Sequence, residues 1–356
     1  MMMAIPGLLL LAPVFLVLGL MHLFAAGVRL LSRVWEPRFL SWRELIAYDP
    51  QLGWKPRPGI AAHYLADRDD VFRLVTDGEG WPGTRTIDDS DVIVVGDSFA
   101  FGYGVDTERS FAHVKRGPAI KGIGCPGYSM VHSVLLMEHL SSRLAGKVVI
   151  WFICLENDLE DNLAPSLLQY RSPFVRPSGS GEWEVVTSHL SPAPWHASKW
   201  SGRLLPHLCA PGPIAERTYA GADYLVKRAA QQCRAINAQL ALVTIPHLPQ
   251  LTVEGRAMLA AEAPERFDAT LPEQRLGESC RRHGVVFVPG SAHLSADDYK
   301  ANEGVHWNER GHRRMAKVLH DLYESLRSGP VNSPVPEVEG RPDAMPSLQE
   351  SAAGMR

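Results

Sequence analysis

Val94-Val95-Gly96-Asp97-Ser98-Phe99-Ala100-Phe101-Gly102-Tyr103-Gly104 is the stretch on which the architecture turns. The run Asp91-Val92-Ile93-Val94-Val95 leading into it is short, apolar and closed by glycine, the pattern of a parallel strand buried on both faces. Working outward, Ala119 to Ile123 is a weaker second strand, and Lys147 to Leu155 is a third, strongly apolar and β-branched. Leu240 to Ile245 and Gly284 to Val288 make a fourth and a fifth. Helical patterns fall between or after them at Ser129–Leu144, Ile214–Ala238, Glu273–His283 and Glu309–Ser325. This alternation predicts a central parallel five-stranded sheet with helices on both faces. Sites in such sheets lie at the carboxyl ends of the strands.

Four segments flank or interrupt that pattern. Residues 1–28 contain no Asp, Glu, Lys or Arg, and Leu8 to Phe24 is almost continuously apolar. About 20 such residues span a bilayer as a helix, so a single transmembrane anchor is expected. A cleavable signal is the alternative. Ala25-Ala26-Gly27 resembles a cleavage site, but no basic residue precedes the apolar run. Arg29, Arg33, Arg38 and Arg43 follow it, and the positive-inside rule then puts the remainder in the cytoplasm. Residues 29–87 are rich in turn formers and hold strand patterns at Ala61–Leu65 and Val71–Val75, which predicts a small β-rich lead-in packed on the main domain of residues 88–328. Within that domain the alternation stops over 162–212, where Phe174–Arg176 and Trp183–Val186 flank Gly179-Ser180-Gly181 as a hairpin would. Trp183, Trp195 and Trp200 of this insertion are candidates to line a cleft or to pack down as a lid. Residues 329–356 are Pro-, Ser- and Glu-rich with few apolar side chains, and a disordered tail is expected.

Composition removes several classes of function. The 356 residues are 46% hydrophobic and 21% charged, with a formal net charge of -3, so nothing in them suggests a basic nucleic-acid-binding face. The 14 histidines are scattered without ligand spacing, and Cys125, Cys154, Cys209, Cys233 and Cys280 include no CxxC pair. No metal or other cofactor and no disulfide framework is expected.

The chemistry is carried by four blocks. A buried strand running into Gly96-Asp97-Ser98 presents the Ser98 hydroxyl at the strand's carboxyl end, but a serine needs an adjacent base to become a nucleophile. His306 sits in Glu303-Gly304-Val305-His306-Trp307-Asn308, just before an amphipathic helix and three residues after a carboxylate. A base oriented by a carboxylate is the arrangement that activates serine. His312, at the helix start, reads as a packing or capping residue. Gly124-Cys125-Pro126-Gly127-Tyr128-Ser129 follows the second strand and opens a helix, so its backbone N–H groups converge on one point. Leu155-Glu156-Asn157-Asp158 closes the third strand with an amide able to donate to an oxyanion.

These blocks, in this order, resemble the SGNH/GDSL hydrolase superfamily over roughly Asp91 to Leu326. The resemblance implies a three-layer α/β/α, flavodoxin-like fold and a serine esterase without cofactor. It implies Ser98 as nucleophile, His306 as general base, and an oxyanion hole of the Ser98 N–H, the Gly127 N–H and the Asn157 side chain. The implied substrate is an O-acyl or O-acetyl ester of a carbohydrate or small molecule. An acyltransferase using the same residues is the first alternative, and a non-catalytic binding protein of the same fold is the second. The stretch Tyr48-Asp49-Pro50-Gln51-Leu52-Gly53-Trp54 is similar to the lead-in of bacterial anchored members, which often act outside the membrane, against the positive-inside reading. Two positions depart from the family pattern: Leu155 stands where it has Gly, and Glu303 where it has Asp. Asp297 and Asp298 are therefore alternatives to Glu303 as the partner of His306.

Overall fold

The structure, a computed structural model, describes residues 17–25, 27, 39–67, 70–113, 117–167, 170–193, 203–263 and 266–328. The first described strands belong to the lead-in: β1 (Phe39–Leu40), β2 (Ile46–Asp49), β3 (Gly53–Pro56), β4 (Ala61–Asp67) and β5 (Asp70–Val75). β2 and β3 form an antiparallel hairpin, while β4 pairs with β5 antiparallel and with β1 parallel.

The central sheet is built from β6 (Val92–Gly96), β7 (Ile120–Gly124) and β8 (Val148–Cys154). The insertion adds the short pairs β9 (Ser166–Leu167) with β10 (Tyr170–Arg171) and β11 (Phe174–Pro177) with β12 (Trp183–Val186). β13 (Gln239–Ile245) and β14 (Val286–Val288) then complete the sheet in the order β14-β13-β8-β6-β7, all parallel. Residues of β6 alternate between two cores, as the two-residue period of a strand requires. Ile93 and Val95 face the helices Met130–His139, Pro213–Ala235 and Leu271–His283, whereas Val92 and Val94 face the helix Glu309–Ser328. The five strands and their two helical layers match the sequence expectation. The helices Leu248–Leu251 and Val253–Glu262 were not anticipated.

Chain order reverses at β6: β7 lies on one side of it and β8 on the other. That switch point opens a crevice beyond the carboxyl end of β6. The turn after β6 lies close over β7, and a Cβ at Gly124 would stand 2.5 Å from the Gly96 carbonyl oxygen.

The lead-in is fused to this sheet. Leu40, Ile46, Trp54, Phe72 and Leu74 share one buried core with Ile93, Val95 and Trp151. Lys121, pointing out of β7 yet fully buried, donates to Asp77 Oδ2 at 2.7 Å and to the Pro82 carbonyl at 2.9 Å. Trp54 is fully buried, its Nε1 donates to the Pro126 carbonyl at 3.3 Å, and the Tyr128 hydroxyl donates to the Trp54 carbonyl at 2.7 Å.

The expected span over 1–28 falls mostly outside the described residues. Residues 17–25 are helical, and among the described residues no helix is long and apolar enough to cross a membrane. The expected disordered tail, 329–356, and Trp195 and Trp200 also lie outside the described residues. Trp183 packs down on the main domain. Its ring packs where a Cβ on Gly221 would meet it at 3.2 Å, because that glycine leaves a groove on the long helix. All five cysteines are free and buried.

Because Trp54 joins the lead-in to the loop after β7, Trp54→Ala should destabilise the whole chain by about 3–5 kcal/mol. Urea unfolding followed by far-UV circular dichroism measures this. A lead-in that melts in its own earlier transition would contradict the shared core.

Candidate active site

Ser98 opens the helical turn Ser98–Phe101. Asp97 caps that turn, its Oδ1 accepting from the Phe99 N–H at 2.9 Å. The first N–H groups of a helix have no partner within it, so the Ser98 N–H is available to a bound group. Gly127 has φ +79°, a conformation natural to glycine, in the loop between β7 and the helix Met130–His139. Asn157 follows β8, and its Nδ2 donates to Asp161 Oδ2 at 2.8 Å and, at the long limit of 3.5 Å, to Asp158 Oδ1. The sheet order therefore brings Ser98, Gly127 and Asn157 to the rim of one cavity of about 580 Å³.

The base arrives from the far end of the chain. The loop between Tyr299 and Trp307, pinned by a bridge between those two residues, carries Glu303 and His306. His306 Nε2 lies 2.8 Å from Ser98 Oγ, and His306 Nδ1 lies 3.1 Å from Glu303 Oε2. In the tautomer that donates Nδ1–H to Glu303, Nε2 presents a lone pair to the Ser98 hydroxyl. The imidazole is held between Phe99 and Tyr103, with ring centroids at 5.3 and 4.5 Å.

Of the alternatives to Glu303, Asp298 is fully buried, accepts from the Ser295 N–H at 2.9 Å and pairs with Arg310 and Arg314. Asp297 pairs with Arg310 at 3.0 Å. Neither partners His306. His312 is buried and stacked on Phe111, a packing role.

Charge is distributed unevenly around the serine. Burial, the largest influence on Glu303, works to raise it. The hydrogen bond with His306 and the charges of His306 and Lys300 together outweigh burial and hold the carboxyl below its ordinary range. Burial pushes the Asp97 carboxyl up to about 6, against the Phe99 N–H and the His306 charge. Asp158 is pushed well up by burial and by Asp97 beside it. Tyr103 is raised by burial and by Tyr64.

Several cavity residues escaped the sequence reading: Trp42, Tyr64 and Asp70 from the lead-in, Leu167 from the insertion, and Tyr103 and Glu156. Asp70 had a detectable signal. It shares the inward register of β5 with Phe72 and Leu74, where a carboxylate must find a partner. Among the described residues no group of His, Cys, Asp and Glu is arranged to hold a metal ion.

No family model matches the sequence, and no curated protein matches it. Solved structures that match include "TesA", at 12% identity and TM-score 0.38, covering 66% of this chain and 97% of that one. The inhibitor-bound aryl esterase of M. smegmatis matches at 13% identity and TM-score 0.37, covering 66% and 98%. A carbohydrate acetylesterase family member from Sinorhizobium meliloti matches at 12% identity and TM-score 0.38, covering 66% and 98%. At these values the likenesses assign no activity.

Asp97 makes a pH signature. In the folded chain it keeps its proton to about pH 6, whereas its ordinary value is 3.8. Between those limits the folded state binds more protons than the unfolded one, so stability falls as pH rises across the window. Asp97→Asn keeps an acceptor for Phe99 and removes that fall. Unfolding midpoints in urea should show the variant gaining on the parent between pH 4 and pH 7 (window set by). A pH-independent difference would count against a raised Asp97.

Proposed function

We propose that the chain is a serine esterase of the SGNH/GDSL kind that its sequence blocks resemble. The observation that carries this is the line Ser98 Oγ, His306 Nε2, His306 Nδ1, Glu303 Oε2, at 2.8 and 3.1 Å, opening into a cavity of about 580 Å³. Ser98 Oγ attacks the ester carbonyl carbon while its proton passes to His306 Nε2, and Glu303 balances the imidazolium. The Ser98 and Gly127 N–H groups and the Asn157 amide receive the oxyanion, a donor of this kind being worth ~3–4 kcal/mol. The carbon–oxygen bond to the alcohol breaks, the leaving oxygen takes the proton from His306, and the acyl group stays on Ser98. Water then gives a proton to His306 and its hydroxyl to the acyl carbon. Ser98 recovers the proton as the carboxylic acid departs.

The lining favours an uncharged substrate. Asp97, Glu156 and Glu303 face the cavity beside an Asp70 paired with Lys300, and among the described lining residues there is no Lys or Arg. A cleft lined by one sign of charge repels ligands of that sign. Trp42, Tyr64 and Tyr103 supply aromatic faces suited to an acylated sugar or small polyol. The exposed apolar side chains Val17, Leu20, Met21, Leu23 and Phe24 support attachment of the N-terminal segment to a bilayer.

Turnover of p-nitrophenyl acetate is the direct test. Ser98→Ala and His306→Ala should each lower kcat by roughly 10³-fold or more. Glu303→Gln should cost ~10²–10⁴-fold, the range expected when a triad carboxylate loses its charge. Asp297→Asn should leave turnover unchanged. A hemisuccinate ester of the same phenol should have a lower kcat/KM than the acetate, and the gap should narrow with added salt. Labelling of Ser98 by a fluorophosphonate without ester turnover would move the reading to acyl transfer, and no labelling at all would defeat it. For the attachment, the full chain should sediment with membranes and a chain lacking residues 1–28 should not. Equal partitioning of the two would refute it.

A further inference from the structure

Lys300 opens the loop that carries Glu303 and His306, and the lead-in reaches it. The Lys300 ammonium is ion-paired with Asp70 Oδ1 and donates to the Gly104 carbonyl at 3.1 Å. Its side chain is 11% exposed and that of Asp70 is 8% exposed. An ammonium has three N–H donors, so one remains after these two contacts. Glu303 Oε1 stands 3.8 Å from the same nitrogen. That oxygen is buried without a hydrogen-bond partner, while its twin Oε2 meets His306. The Lys300 backbone also closes the loop: its N–H donates to the His306 carbonyl at 2.9 Å, and its carbonyl accepts from the Gly304 N–H at 2.8 Å.

We infer that Lys300, clamped by Asp70 of the lead-in, is a positioning residue that keeps Glu303 ionised and aimed at His306. This rests on the esterase reading of the site. Glutamate has one more rotatable bond than the aspartate of the family pattern, so a carboxylate three residues before the base needs a second restraint. Lys300 supplies it from the side opposite the imidazole. In the acylation step His306 gains a proton from Ser98, and the resulting imidazolium is stabilised only while Glu303 stays charged. A buried carboxylate with no cation behind it takes up a proton more readily.

The charged and titratable groups facing Glu303 are Lys300 and His306 on its own loop, Tyr103 on the turn after β6, and Asp70 on β5 beyond Lys300. Asp70 and Lys300 therefore act on the base with opposite signs. Removing the ammonium makes the His306–Glu303 pair bind its proton more tightly, and the acid limb of kcat/KM moves to higher pH. Removing the Asp70 charge leaves Lys300 to Glu303 alone, and the limb moves to lower pH or stays. A tie that merely fastened the lead-in to the loop would not produce opposite shifts.

The test is the pH profile of p-nitrophenyl acetate turnover, and of Ser98 labelling by a fluorophosphonate, for the full chain carrying Lys300→Met, Lys300→Arg or Asp70→Asn. Lys300→Met should lose roughly tenfold to a hundredfold in kcat, part of the ~10²–10⁴-fold that general-base catalysis provides. Its KM should hold within about twofold, and its acid limb should rise. Lys300→Arg should recover most of the loss. Asp70→Asn should lose less, with no rise of the limb. Labelling by the phosphonate needs only an activated serine, so its rate should follow the same order. If Lys300→Met keeps parental kcat, or both variants shift the limb in the same direction, the positioning role is overturned. If Lys300→Met does not fold, Asp70→Asn and Lys300→Arg decide by the same criterion, a risen limb in Asp70→Asn being fatal. If the parent's Ser98 is neither labelled nor needed for turnover, it is the esterase reading that fails.

Discussion

The turn that carries Ser98 lies against β7 at a distance that admits no side chain between them. A Cβ on Gly122 would stand 2.1 Å from the Ala100 carbonyl oxygen, and one on Gly124 would stand 2.6 Å from that of Asp97. Glycine at both positions lets the turn settle directly beside its neighbour, and the rest of the site follows from that approach. The loop after β7 can then bring Gly127 to the rim that holds Ser98. The parallel β8 on the other side brings Asn157 to it. A larger residue at 122 or 124 would lift the serine off the sheet and part it from both groups.

Around that point the protein places carboxylates in two electrostatic conditions. Asp97 and Asp158 are buried near each other with no ion pair to a Lys or Arg among the described residues, and both are raised. Glu303 has a histidine on one side and a lysine on the other, and it stays below its ordinary value although burial alone would raise it. Neighbouring acids of the same chemistry thus differ in how readily they ionise because their surroundings differ. The same logic explains Lys121. A fully buried ammonium is costly, and it is tolerated because Asp77 and the Pro82 carbonyl meet it.

What the sequence disclosed follows the range of each interaction. The five strands were legible because strands buried on both faces read as unbroken apolar runs, and their ends fall within two residues of expectation. Glu303 and His306 were legible as a pair because three residues in a turn fix their proximity. The helix Val253–Glu262 was not, since Gly255 and three charged residues blur its apolar period. The cavity wall was the least legible part. Tyr64, Asp70 and Trp42 share the cavity with a loop more than 200 residues further along the chain, and spacing carries no information about such contacts. For Trp183 the sequence left a cleft wall and a packed aromatic both open, because the glycine that receives the ring, Gly221, lies on a distant helix.

The lead-in was expected only to pack on the main domain, yet Trp42, Tyr64 and Asp70 of it also line the cavity. Tyr64 and Phe72 pack edge-on against Tyr103 at 5.7 and 5.0 Å, and Tyr103 in turn lies against the His306 ring. Asp70, at the start of β5, pairs with Lys300 in the loop that carries Glu303 and His306. Two independent lines of contact therefore run from one small hairpin, an aromatic one to the imidazole and an ionic one to its carboxylate. A loop that must hold two side chains within hydrogen-bond reach of a third on another element needs support from outside itself, because its own backbone bonds fix only its closure. In this chain the support comes from the segment that precedes the sheet. The described lead-in thus walls the crevice as well as sharing its core.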